Sequence, residues 1–130
     1  MPRAYTITTA ALALGTPPKW LDNTLSHYRI VGVVQEKQGI ARRITVEGLL
    51  VLSITLLLTA ELGSTVGAAL NLAQKMIANG GIFEFTDGLR VGLGLQEFRE
   101  RLLAKLEHAV EIAPLPRRGR PPRNTTGRLE

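Results

Sequence analysis

The sequence predicts a mainly α fold with small β-hairpins, an α+β arrangement, and three observations carry that prediction. Five stretches space their apolar residues at helical intervals, several of them preceded by Thr or Ser and ended by Gly. Two others switch to β-branched or alternating apolar residues around polar turns. The 130-residue chain is 45% hydrophobic but only 5% aromatic and has no cysteine. Its core must therefore be Leu, Val, Ile and Ala, with no disulfide framework, thiolate metal site or cysteine nucleophile.

Each element follows from local chemistry. Tyr5 to Leu14 reads as a short helix that Thr6 or Thr8 caps and Gly15 ends, with Ile7, Ala10, Ala11 and Leu14 on one apolar face. Thr16 offers the next N-cap oxygen, and Pro17 sits where a missing N–H costs least. The second helix, running to about Tyr28, turns Trp20, Leu21, Leu25 and Tyr28 inward and Lys19, Asp22, Asn23, Ser26 and His27 outward. Ile30 to Val34 suits a strand, Gln35 to Gly39 a polar turn containing Lys37, and Ile40 to Ile44 a return strand carrying Arg42 and Arg43. Thr45 caps a third helix that Gly63 ends, and Ser64 caps a fourth that runs to about Ala78.

Within the third helix, Gly48 to Leu58 is strongly apolar but far shorter than the roughly 20 residues a bilayer span needs, so it reads as a buried helix. Ile82–Thr86 and Leu89–Leu93 flank Asp87-Gly88, which suits a two-residue hairpin turn. Leu95 to Val110 then forms an amphipathic helix with Leu95, Phe98, Leu102, Leu103, Leu106, Ala109 and Val110 on its apolar stripe. From Ala113 onward Pro, Arg, Asn and Thr dominate, and such a composition reads as a tail disordered in isolation.

Charge is distributed unevenly. Residues 1–45 carry six basic and two acidic groups, and residues 114–130 carry five arginines and one glutamate. Residues 46–113 between them are slightly acidic. Basic ends around a near-neutral middle suit a polyanionic partner, because cations close to phosphates release condensed counterions.

Four stretches resemble the MerR-type winged helix-turn-helix. These are YTITTAALALGTPP for its opening helix and turn, GVVQEKQG for the strand entering the wing, GIARRIT for the return strand and helix cap, and TVEGLLVLSITLLLTAELGSTVGAAL for the paired helices that follow. The resemblance covers residues 5–70. It implies a DNA-binding winged helix-turn-helix domain over residues 1–79, a hairpin-helix dimerisation element over 80–112 and a basic tail over 113–130. The recognition helix here, KWLDNTLSHY, lacks the arginine and paired aromatics usual in that family, and the family's metal-binding cysteines have no counterpart. A second resemblance lies in the tail, where Pro116-Arg117-Arg118-Gly119-Arg120-Pro121 is similar to the Arg-Gly-Arg-Pro core of an AT-hook. Glycine lets such a chain lie on the floor of a narrow minor groove, and A·T tracts supply that groove.

The DNA-contact candidates are accordingly Thr16, Lys19, Asn23, Ser26 and His27 at the helix-turn-helix, Lys37, Arg42 and Arg43 at the wing, and Arg117, Arg118, Gly119, Arg120 and Arg123 in the tail. Asn23 suits bidentate readout of adenine, and Lys19 suits guanine or phosphate. His27 also reads as a plain helix-end residue, Trp20 as core, and the two adjacent arginines as the solvated charges of an edge strand.

The hairpin is apolar on both faces and needs cover on both sides, which points to a homodimer. Phe83, Phe85, Phe98, Leu102 and Leu106 are its candidate contacts. No cofactor, metal or catalytic constellation is expected. Glu97, Glu100, Glu107 and Glu111 read as a solvated helix face, and no glycine-rich phosphate loop is present. No secretory signal opens the chain, so a cytoplasmic, nucleoid-associated dimeric regulator of transcription is the expectation, with no membrane role. A DNA-architectural or recombination accessory protein belongs to the same class. The rival is an antitoxin-like module whose basic tail folds onto a protein partner.

Overall fold

The structure, a computed structural model, describes residues 3–35 and 41–112. The described chain is mixed α and β, with five helices and two small antiparallel sheets. Strand β1 (Ala4–Thr6) leads directly into helix α1 (Ile7–Leu14), and α2 spans Pro18–His27. Strands β2 (Val33–Val34) and β3 (Arg43–Thr45) precede α3 (Val46–Leu62) and α4 (Val66–Ala78). The hairpin β4 (Ile82–Glu84) and β5 (Arg90–Gly92) is followed by α5 (Leu95–Ile112).

The first departure from the sequence reading is at the start. Ala4–Thr6 is strand, not helix, and pairs antiparallel with β3, setting Tyr5 opposite Ile44. Strand β3 therefore lies in the middle of a three-stranded sheet ordered β1-β3-β2, and the picture of Arg42 and Arg43 on an edge strand is corrected. Of the two capping candidates it is Thr6 that acts, accepting from the Thr9 N–H at 3.2 Å.

Thr16 does not cap α2. Pro17 occupies the cap position without a side-chain bond, Pro18 is the first helical residue, and the Thr16 N–H closes the preceding turn on the Ala11 carbonyl. Leu21 and Leu25 are buried as expected, with Thr24 beside them donating its hydroxyl to the Trp20 carbonyl at 2.8 Å. Trp20 is half-buried, and Tyr28 stays exposed with its ring near Gly67 of α4.

Helix α3 is the centre of the core. It buries residues around most of its circumference, from Leu49 to Leu58, as an apolar helix inside a domain should. Its buried Thr55 hydroxyl is satisfied by the Val51 carbonyl at 2.8 Å. Thr45 caps this helix as predicted and accepts from the Gly48 N–H. Thr65, one residue later than Ser64, caps α4.

The second hairpin closes through three residues rather than two. Phe85 pairs with Leu89 through its N–H, Gly88 donates back to the Phe85 carbonyl at 3.1 Å, and Gly88 takes φ +86°. Thr86, Asp87 and Gly88 thus form a three-residue loop with positive φ at its last residue, so Asp87-Gly88 is not a free-standing two-residue turn.

Helix α5 folds back across α1 and α3, and the Arg99 guanidinium meets Glu47 of α3 at 2.8 Å. Its Leu102 and Leu106 are 2% and 1% exposed within their own chain. Their apolar surface is already spent on one continuous core that runs from Tyr5 to Ala109, and Phe98 packs half-buried against it. Residues 80–112 thus share the core of the preceding segment, and neither Leu102 nor Leu106 is available to a partner chain.

Candidate nucleic-acid interface

The outward face of α2 is built by helical spacing. Lys19, Asp22, Asn23, Ser26 and His27 are all exposed. Their side chains differ in readiness. Ser26 Oγ donates to the Asp22 carbonyl at 3.0 Å, and His27 Nδ1 lies 2.8 Å from the Asn23 carbonyl. A carbonyl only accepts, so Nδ1 carries the proton in that bond and Nε2 is left for an outside partner. Among the described residues, Lys19 and Asn23 engage no side-chain partner and are free to meet a ligand. Thr16 is half-buried in the turn before this helix.

The two adjacent arginines have separate environments. Arg42, just before β3, places its guanidinium 3.2 Å from Asp22 on α2. Arg43, within β3, pairs its backbone with Thr6 and Val34 and leaves its side chain exposed. Ile44 beside it points into the core, which follows from alternation along the strand. The base of the β2–β3 pair is therefore tied to the outward face of α2.

Between the end of α2 and the sheet lies an open cleft of about 480 Å³. Leu25, Ile30 and Val33 contribute apolar wall, while His27, Arg29 and Arg42 supply the basic groups. Among the described residues, none that lines it is acidic. Arg29 is absent from the sequence-derived candidates, as is Arg3, whose guanidinium sits 4.9 Å from the Tyr5 ring centroid. The signal for both is the charge count: residues 1–45 hold six basic groups, and assigning four of them to contacts leaves these two unaccounted for.

Lys37 lies outside the described residues, as do Arg117, Arg118, Gly119, Arg120 and Arg123. No described helix is long and apolar enough to cross a membrane. Among the described residues, no group of three or more His, Asp or Glu side chains is placed to hold a metal ion. Comparison with family models, with curated proteins and with solved structures finds no match.

Proposed function

We propose that this chain binds double-stranded DNA, with residues 1–79 acting as a winged helix-turn-helix of MerR-like type. Helix α2 enters the major groove and presents Lys19 and Asn23 to base edges. Arg43 and Arg29 meet the phosphate backbone, and the 113–130 tail adds affinity in the minor groove of A·T-rich flanks. A cytoplasmic regulator of transcription is the role this reading fits.

The observation that carries the proposal is the Arg42–Asp22 contact. It joins the exposed face of α2 to the base of the β2–β3 pair, so that recognition residues and wing arginines act as one surface. It also neutralises the one carboxylate of α2, which would otherwise repel phosphate.

Salt titration of duplex binding by fluorescence anisotropy tests the reading. Affinity should fall steeply with salt, and Arg43→Ala should reduce the slope of log affinity against log salt by about 0.9, the loss of one phosphate contact. An Arg43→Ala slope identical to that of the parent protein, or no duplex binding at low salt, would refute it.

A further inference from the structure

We infer that the cleft between α4 and the β4–β5 hairpin receives the hairpin tip of a second copy of this chain, in a two-fold dimer. The cleft encloses about 300 Å³ and is walled by Ala68 and Leu72 on one side and Phe83 and Phe85 on the other. The two rings meet edge to face with centroids 4.9 Å apart, which fixes the aromatic wall. Lys75 stands at the cleft with its ammonium 5.2 Å from the Phe83 centroid. Among the described residues it pairs with no carboxylate.

The hairpin tip has the complementary character. Leu89 is 63% exposed and Phe85 is 40% exposed, and the two sit opposite one another at the mouth of the three-residue loop. Asp87 in that loop is exposed and has no ion pair among the described residues. The neighbouring carboxylate, Glu84, is already held by Arg90 at 3.3 Å.

Among the described residues, one chain thus carries an apolar cleft whose cation has no carboxylate partner and an apolar knob whose anion has no cationic partner. Phe85 is a wall of its own cleft, so the tip does not fill that cleft in cis. Two copies satisfy each other: Leu89 of each enters the other's cleft, Asp87 meets the partner's Lys75, and symmetry makes each contact twice. None of these residues lines the α2 cleft, so the dimer does not depend on the DNA reading.

Light scattering on the full chain without DNA tests the dimer. The interface is small, so twice the chain mass should be reached by about 100 µM rather than at nanomolar concentration. Leu89→Ser should weaken dimerisation about 100-fold, since two exposed leucines lose their cover at once. Lys75→Glu and Asp87→Lys should each weaken it about tenfold, and the double variant should return to within about threefold of the parent. All three positions are exposed, so unchanged circular dichroism is expected and confirms that folding is intact. A monomer at about 100 µM, mass growing beyond the dimer, a dimer indifferent to Leu89→Ser, or a double variant no better than the singles would each overturn the proposal.

Discussion

Replacing Gly32 by Ala should be among the most damaging single-methyl changes in the chain, and the geometry says why. Gly32 holds φ +88°, and a Cβ built there lies 2.4 Å from Thr45 Oγ1 and 2.6 Å from the backbone nitrogen of Gly48. Those two atoms are the cap of α3, since Gly48 N–H donates to Thr45 Oγ1. The Gly32 carbonyl also accepts from the Thr45 N–H at 2.8 Å, so the segment cannot lift away without losing that bond. Left-handed backbone costs an L-residue about 1–2 kcal/mol, and forcing a methyl into a packed crossing costs about 1–3 kcal/mol more. Disturbing the cap adds about 1 kcal/mol, giving roughly 4 kcal/mol in all. Gly63→Ala is the matched control, because Gly63 has φ +66° but nothing within 4 Å of the added carbon. It should lose only the conformational part, about 1 kcal/mol. At about 4 °C per kcal/mol, thermal unfolding by circular dichroism should show a drop near 15 °C for Gly32→Ala against about 4 °C for Gly63→Ala. Equal losses in the two variants would refute the close crossing and, with it, the fixed placement of β3, which carries Arg43 and follows Arg42.

Two further outcomes are expected. Leu102→Asp should unfold the chain rather than release a folded monomer, because it leaves a buried carboxylate with no partner; loss of the helical signal at 25 °C checks this, and a folded, less associated variant would contradict it. Deleting residues 114–130 should weaken binding to an A·T-flanked duplex more than to a G·C-flanked one, because the guanine amino group obstructs the minor-groove floor; equal loss on both duplexes would reduce the tail to a nonspecific phosphate binder.

What was legible in the sequence was whatever short-range rules determine. Thr45 before Val46 and Gly63 after Leu62 bound α3 because capping and left-handed termination are decided within a few residues. The Gly48–Leu58 run was readable as buried from composition alone. Strand β1 was not, since Ala4–Thr6 is three residues long and becomes strand only by pairing with Arg43–Thr45 some forty positions away. The same limit applies to α5: its apolar stripe announces that something covers it, but periodicity is identical whether the cover is α1 of the same chain or a second molecule. The three-residue loop at Gly88 differs from a two-residue turn only in register, and register is set by how Phe83 packs against α4.

The candidate interface divides along the same line. Helical spacing is local, so Lys19, Asn23, Ser26 and His27 were assignable to one outward face, and each is exposed there. A contact between residues twenty positions apart carries no such signature. Read alone, Asp22 is a charge that repels phosphate, and Arg42 is a wing cation as available as its neighbour. Set 3.2 Å apart, they change each other's role. The pair is too exposed to contribute more than about 1 kcal/mol to stability, so its consequence is electrostatic geometry rather than folding energy. With Asp22 paired, Arg29 and Arg42 face a cleft with no carboxylate among its described lining residues, and Lys19 and Arg43 are exposed. Arg42 is held by Asp22 and ties the start of β3 to α2. On the proposed DNA-binding reading, Arg43, exposed and one residue further along, is the arginine that meets a phosphate.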